Sequence, residues 1–220
     1  MKIGTDGVLL GAWTPLDSNP FSILDVGTGT GVIALMLAQR SQAEIIDAIE
    51  IDDDAYEQAA TNFENAAWND RLFCYHASYL EFASEIDDTY DLIVSNPPFY
   101  TEDYTANDAS RTRARFADAL PFEHLLAGTS KLLAPDGEAC FILPYKEETN
   151  FIQIAENMSL FPKKITRVKG NHSSGFVRSL LCFSKHKTNA IVASELVIEK
   201  DRHDYTDEYI ALTNAFYMKM

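Results

Sequence analysis

Short apolar runs alternate with stretches of helical periodicity along the first two thirds of the chain. The apolar runs predict strands at Ser22–Val26, Glu44–Ile49, Leu72–Tyr75, Tyr90–Ser95 and Glu138–Leu143. The periodic stretches predict helices at Val32–Arg40, Asp53–Ala66, Pro121–Leu133 and Lys146–Leu160. Because strands that alternate with helices form parallel sheets through crossover connections, this pattern predicts an α/β fold with helices on both faces of the sheet.

The last third of the chain has a different pattern, in which apolar runs follow one another closely. Strands are predicted at Lys164–Lys169, Arg178–Ser184 and Ala190–Ile198, and a closing helix at Tyr205–Phe216. Such short connections favour antiparallel pairing. We therefore expect a mostly parallel, seven-stranded sheet with antiparallel C-terminal strands. No repeat or linker marks a boundary, so residues 1–220 are expected to form a single domain.

Charge is distributed unevenly along the chain. A net charge of -15 by itself argues against a nucleic-acid partner. The window from Asn157 to Ser194, however, contains seven of the 18 basic residues and none of the 33 acidic ones. This asymmetry predicts one basic face on an acidic body, with a solvated surface that binds nothing as the alternative.

Several classes of protein are not indicated by the composition. No apolar run approaches the roughly 18 residues that cross a membrane, and the N-terminus does not resemble a signal peptide. Cys74, Cys140 and Cys182 are far apart, which argues against a disulfide framework or a metal cluster. We therefore expect a cytoplasmic protein with reduced thiols and with no membrane or metal partner; its oligomeric state stays open.

A glycine-rich loop follows the first predicted strand. It reads Asp25-Val26-Gly27-Thr28-Gly29-Thr30-Gly31, and Glu50 ends the next strand, where a carboxylate can accept hydrogen bonds from a ribose diol. This combination indicates a nucleoside cofactor. Gly29–Ala34 also satisfies a dinucleotide fingerprint, but Asp25 would repel a pyrophosphate and attract the ammonium of S-adenosylmethionine (AdoMet).

The tetrapeptide Asn96-Pro97-Pro98-Phe99 follows the fourth predicted strand. Ligands of open α/β sheets bind beyond the carboxyl ends of the strands, so this tetrapeptide is expected beside the glycine loop. The side-chain oxygen of Asn96 and the carbonyl oxygen of Pro97 can each accept a hydrogen from a planar amino group. Phe99 offers a ring face on which a base can stack. The pattern predicts methylation of such an amine.

With both motifs in place, the chain resembles the Rossmann-like class I AdoMet methyltransferases that carry an Asn-Pro-Pro-Phe or Asn-Pro-Pro-Tyr motif. More narrowly, it resembles the bacterial tRNA(Val) adenine-N6 methyltransferases, which modify the adenine 3′ of the anticodon. The narrow resemblance rests on Met1–Trp13, which contains Gly-Thr-Asp-Gly and Gly-Ala-Trp, and on Tyr209–Tyr217. Relatives carry a further β-rich stretch before Gly-Thr-Asp-Gly, so a shortened N-terminus is one alternative.

The resemblance implies roles for individual residues. Those implied to bind the cofactor are Thr5, Asp6, Gly7, Asp25, Gly27, Gly29, Gly31 and Glu50, with Ser78 as a weak substitute for the aspartate that often binds the adenine amine. The implied target-base residues are Asn96, Pro97 and Phe99.

Candidate substrate-binding residues are all basic. They are Arg111, Arg113 and Arg115 in the polar segment Tyr100–Asp118, and Lys163, Lys164, Arg167, Lys169 and Arg178 in the acid-free window. Long polar segments in compact domains are usually functional or disordered, and cations there can hold RNA phosphates. The basic window favours a nucleic acid over the alternative of protein glutamine methylation, and the resemblance favours tRNA over rRNA guanine-N2 or DNA adenine-N6 methylation. An NAD-dependent oxidoreductase is the alternative from another class, although no hydride-transfer constellation is visible.

Overall fold

A computed structural model describes residues 4–98, 120–188 and 190–218. These residues contain one nine-stranded sheet with the order β3-β2-β1-β4-β5-β7-β6-β8-β9. The strands are β1 Ser22–Val26, β2 Ile45–Glu50, β3 Leu72–His76, β4 Tyr90–Ser95, β5 Leu133–Pro144, β6 Phe161–Asn171, β7 Phe176–Ser184, β8 Val192–Asp201 and β9 Asp204–Tyr205. The helices are α1 Thr5–Trp13, α2 Val32–Arg40, α3 Asp53–Glu64, α4 Tyr79–Glu85, α5 Phe122–Leu132, α6 Glu148–Asn157 and α7 Asp207–Thr213.

The sheet confirms the predicted mixture of parallel and antiparallel strands. Strands β3, β2, β1, β4 and β5 pair in parallel, whereas β7 pairs antiparallel with both β5 and β6. The expected number of seven strands is too low, because β8 joins the edge of β6 in parallel and β9 follows it. The predicted strand Ala190–Ile198 thus extends the sheet without pairing antiparallel to its neighbour β6.

Alternating side chains divide the core into two layers. Ile23 packs with residues of α1, α2 and α3 on one face of the sheet. The next residue, Leu24, packs with residues of α4, α5 and α6 on the other face. Because successive strand residues point to opposite faces, each buried strand contributes to both layers. Helices therefore cover both faces, as the apolar runs predicted.

Helix α1 lies tightly against α2 because two glycines face that contact. A Cβ atom on Gly11 would lie 2.8 Å from the sulfur of Met36, and one on Gly7 would lie 3.3 Å from a methyl carbon of Val32. At the end of α1, the indole of Trp13 donates a 2.8 Å hydrogen bond to Thr166 of β6. The opening segment of the chain is thereby placed next to the start of α2, which directly follows the glycine loop.

In the residues that the structure describes, no helix is long and apolar enough to span a membrane. Over the same ranges, no group of three or more histidine, cysteine, aspartate or glutamate side chains has the arrangement of a metal site.

Candidate active site

The site lies at the carboxyl ends of β1, β2 and β4. The register pairs Val26 of β1 with Ile49 of β2 and with Ser95 of β4. The hydroxyl of Ser95 also donates a 2.8 Å hydrogen bond to the carbonyl oxygen of Val26. Since Gly27 and Asn96 directly follow these paired residues, the glycine loop and the tetrapeptide begin side by side, as expected.

The glycine loop has a conformation that other residues rarely adopt. Gly27, Gly29 and Gly31 have φ angles of 69°, 60° and 81°, all in the left-handed region. A Cβ atom on Gly31 would also lie 2.5 Å from the ring of Phe63. The amides of Gly27 and Thr28 both donate to the carbonyl oxygen of Ile49, at 2.9 and 3.0 Å. The loop is therefore held close to the end of β2.

Asp25 is completely buried beneath this loop. Its Oδ2 atom accepts hydrogen bonds from the Thr28 hydroxyl at 2.6 Å and the Ala34 amide at 3.2 Å. Its Oδ1 atom is buried and has no hydrogen-bond partner among the described residues. Burial, with a smaller contribution from Glu50, raises the pKa of Asp25 to about 7. A buried acceptor that lacks a donor fits the ammonium group of AdoMet.

Glu50 closes the other side of the loop. Its Oε2 atom accepts from the Gly29 amide at 2.8 Å, and its Oε1 atom accepts from the amides of Ile51 and Asp52 at 2.8 and 3.0 Å. A carboxylate offers about four lone-pair sites, so three are already occupied. A ribose diol that donates two hydrogen bonds would therefore displace one backbone amide.

Two residues that follow β3 and β2 affect how the adenine of the cofactor would be bound. Ser78 caps α4: its hydroxyl accepts from the Glu81 amide at 3.2 Å and donates to the Glu81 carboxylate at 2.9 Å. This capping leaves little support for Ser78 as an adenine ligand. Ile51, which the sequence reasoning missed, is 48% exposed beside Glu50 and offers an apolar surface for a flat base. The sequence feature that could have identified Ile51 is its position as an apolar residue directly after Glu50, the acid that ends β2.

The tetrapeptide is described as far as Pro98. Asn96 is partly buried, Pro97 is buried and Pro98 is exposed. Proline rings fix the backbone of the segment that carries the Pro97 carbonyl. Phe99 lies outside the described residues, and so do Arg111, Arg113 and Arg115.

The opening motif lies at the same end of the sheet. Thr5, Asp6 and Gly7 form the first turn of α1, and the contact of Gly7 with Val32 places this turn beside the glycine loop. Asp6 accepts a 2.8 Å hydrogen bond from Nε of Arg178, near the start of β7. One candidate cofactor residue is thus paired with one candidate substrate-binding residue.

Four of the seven cations in the acid-free window are paired with acids from outside it. Lys163 pairs with Glu138, Arg167 with Glu148, Lys169 with Glu195 and Arg178 with Asp6. Lys164 instead lies over the ring of Trp13, with Nζ 4.5 Å from the centroid.

These contacts divide the cations between the two faces of the sheet. Trp13 belongs to the layer of α1, whereas Glu148 begins α6 in the other layer. The expectation of one basic face is therefore not met by Lys164 and Arg167, which lie on opposite faces of the sheet. The role of these residues in RNA binding stays a prediction.

Known proteins share both the sequence and the fold. The chain matches the methyltransferase small domain family over residues 9–142. It is 60% identical over its full length to the tRNA1(Val) (adenine(37)-N6)-methyltransferase of Flavobacterium johnsoniae, of which it covers 94%. It is 42% identical to the enzyme of the same name from Bacteroides fragilis, of which it covers 92%. The chain belongs to this methyltransferase family.

Methyltransferases of this kind use AdoMet, so AdoMet is the cofactor, and the alternative of an NAD-dependent oxidoreductase was wrong.

A solved structure agrees on the fold. The crystal structure of a predicted O-methyltransferase from Agrobacterium tumefaciens superimposes with a TM-score of 0.72 at 19% identity, with 96% of each chain covered. A ribosomal protein L11 methylase from Lactobacillus delbrueckii gives a TM-score of 0.57 at 22% identity, over 83% of this chain and 77% of the other. At these identities the two structures support the class I fold alone.

Proposed function

We propose that this methyltransferase transfers a methyl group from AdoMet to the N6 amino group of adenine 37 in valine tRNA. The observation that carries the proposal is the placement of Asn96 directly beside the glycine loop, fixed by the bond between Ser95 and Val26. The names of the full-length relatives support the same substrate. We further propose that residues 1–220 act as one domain in the cytoplasm.

Asp25, Glu50 and the three loop glycines would hold the cofactor. Bound there, AdoMet supplies a methyl group activated by a positively charged sulfur. The buried Oδ1 atom of Asp25 would accept from its ammonium group, and Glu50 would accept from its ribose. The first turn of α1, with Thr5, Asp6 and Gly7, would cover the methionine end.

Asn96 and Pro97 would orient the target amine. Two acceptors that take the two amino hydrogens turn the nitrogen lone pair out of conjugation with the base, so that it can attack the methyl carbon. A strong general base is not needed, since the amine proton leaves after the nitrogen has become positively charged. Position and electrostatics therefore supply most of the rate acceleration.

The direct test uses labelled AdoMet with total tRNA, followed by nucleoside analysis. We expect labelled N6-methyladenosine with the wild-type protein. Asn96→Ala should lower the rate about 10²- to 10³-fold, because one preorganised acceptor is lost, while AdoMet affinity stays near normal. Retained turnover in this variant would contradict the catalytic role of Asn96.

A protein glutamine is the second candidate substrate, since its planar amide also fits two acceptors. The pairing of the window cations with carboxylates favours it, because this pairing weakens the charge argument for RNA. Incubation of the same enzyme with a protein extract separates the two candidates. If the label appears in protein and not in tRNA, protein glutamine methylation replaces tRNA methylation as the proposed function.

A further inference from the structure

Two aromatic side chains meet at the carboxyl end of β5, outside the site already described. The rings of Tyr145 and Phe176 are 5.1 Å apart between centroids, with an interplanar angle of 49°. Tyr145 is 38% exposed. It begins the short 3-10 helix that follows β5, and Phe176 is the first residue of β7.

A cation lies beside each ring. The guanidinium carbon of Arg167 is 5.9 Å from the centroid of the Tyr145 ring. Nζ of Lys169, the cross-strand partner of Phe176, is 4.5 Å from the centroid of that ring. Cations over aromatic faces interact with the ring quadrupole and fix the position of both groups.

Carboxylates hold these cations in place. Arg167 donates to Glu148 from Nε at 3.0 and 3.1 Å and from its terminal nitrogen at 2.7 Å. Burial works to raise the pKa of Glu148, but hydrogen bonds from Arg167 and Ser179 hold it below its ordinary value. Lys169 donates to Glu195 at 2.9 Å. The surface therefore presents aromatic side chains next to neutralised charges, which suits an uncharged planar ring better than a phosphate.

The aromatic pair lies at the same end of the sheet as Asn96. The register aligns Ser95 of β4 with Phe141 of β5. Asn96 lies one residue beyond this level and Tyr145 four residues beyond it. At about 3.3 Å per residue, Tyr145 is thus roughly 10 Å farther along the strand direction on the neighbouring strand.

We propose that Tyr145 and Phe176 form a stacking subsite for a nucleobase next to the target adenine in a single-stranded RNA loop. The inference rests on the proposed function and deepens it by locating a flanking nucleotide. RNA is recognised mainly through unstacked loop bases, which stack on aromatic and guanidinium planes. Tyr145 is exposed and Phe176 is half-buried beside it, so the pair, flanked by held cations, provides such a surface at the same end of the sheet as Asn96.

The experiment measures binding and methylation of a synthetic anticodon stem-loop RNA. Tyr145→Ala and Phe176→Ala should weaken hairpin binding by roughly 5- to 150-fold, the range for loss of one base–aromatic stack. The KM for RNA should rise accordingly, while the KM for AdoMet and the melting temperature stay near wild type. Tyr145→Phe should retain binding. Phe21→Ala is the matched control, because Phe21 is 58% exposed and precedes β1 at the opposite end of the sheet.

A second RNA makes the test specific to one base. This RNA is made in several versions, and each version carries one abasic site at one of the nucleotides that flank the target. If stacking occurs, one abasic site and Tyr145→Ala should each weaken binding, and their combination should weaken it no further. Unchanged hairpin binding in both alanine variants, or fully additive losses at every position, would overturn the subsite. Hairpin binding does not require turnover, so a failure of the proposed function appears separately, as no methylation by the wild-type protein.

Discussion

Asp6, in the first turn of α1, and Arg178, near the start of β7, are joined by a 2.8 Å hydrogen bond from Nε to Oδ2. The two side chains are 27% and 34% exposed, so water screens the pair only in part. Gly7 packs against Val32, so the first turn of α1 lies beside the glycine loop. The hydrogen bond from Arg178 connects this turn to β7. It thereby connects the cofactor region with the antiparallel strands.

Loss of this connection should weaken cofactor binding. We expect Arg178→Ala and Asp6→Ala each to lower the affinity for S-adenosylhomocysteine by roughly 3- to 10-fold, as for a partly exposed charged hydrogen bond. Because both changes remove the same interaction, the double variant should be no weaker than either single variant. Calorimetry on the four proteins measures this, and Arg178→Lys should retain part of the affinity. Additive losses would show that the two residues act independently.

The pKa of Asp25 predicts an unusual pH dependence of stability. Its value rises from 3.8 to about 7 on folding, so between these values the folded state binds a proton that the unfolded state has lost. Asp25 therefore contributes its full stabilisation of the folded state below about pH 4. As the pH rises to 7, up to about 4 kcal/mol of the free energy of unfolding is lost. Urea unfolding of the ligand-free wild type and of Asp25→Asn from pH 5 to 8 should show the wild type losing stability relative to the variant. If the free energies of unfolding of the wild type and of Asp25→Asn change in parallel with pH, the raised pKa of Asp25 is contradicted.

Cofactor binding should depend on the same proton. An ammonium group beside ionised Asp25 is stabilised, whereas protonated Asp25 must first lose its proton. Affinity for S-adenosylhomocysteine should therefore fall below about pH 7, by at most tenfold per pH unit. Asp25→Asn should bind weakly with little change over this range. An equally steep pH dependence in the variant would assign the proton to another group.

The contact of α1 with α2 gives a prediction with an internal control. Gly11→Ala places a Cβ atom 2.8 Å from the sulfur of Met36. Overpacking of this kind destabilises by about 1–3 kcal/mol, and the higher helix propensity of alanine within α1 offsets about 1 kcal/mol of this cost. Gly4→Ala, where a Cβ atom meets nothing within 4 Å, should change stability little. Urea denaturation compares both variants with the wild type. Equal stability of the two variants would mean that Met36 moves aside.

The parts of the site that were predictable depend on local sequence. Asn96 lies between a predicted strand and a double proline, and the loop glycines follow an apolar run, so both positions could be placed from their neighbours. Helix α4 was not predicted, although Ser78 and Glu81 have the spacing of a capping box that marks its start.

The basic window could not be interpreted from its own residues. Four of its seven cations are paired with Glu138, Glu148, Glu195 and Asp6, which lie on other strands or helices. Those partners depend on strand register and on the position of α1, which composition does not reveal. The acid-free sequence therefore exaggerates how much positive charge the folded surface presents.

This pairing changes what salt should do to RNA binding. A cation whose charge is already compensated by a carboxylate neutralises a phosphate less fully, so fewer condensed counterions are released from the RNA. Lys169 is the clearest case, since its ammonium donates to Glu195, whose side chain is 58% exposed. Lys169→Gln should therefore flatten the plot of log K against log salt by much less than the 0.7 expected per single-strand phosphate contact.

Removal of the acid should have the opposite effect. Glu195→Gln leaves Lys169 without its carboxylate partner, so RNA binding at low salt should strengthen and the slope should steepen by up to about 0.7. Lys169→Gln introduced on this background should then cancel the gain, which shows that the lysine is responsible. Filter binding of tRNA across a salt series measures all four proteins, and S-adenosylhomocysteine affinity serves as the control. If Lys169→Gln alone flattens the slope by a full contact, the ion pair opens on RNA binding and the window acts as the sequence predicted.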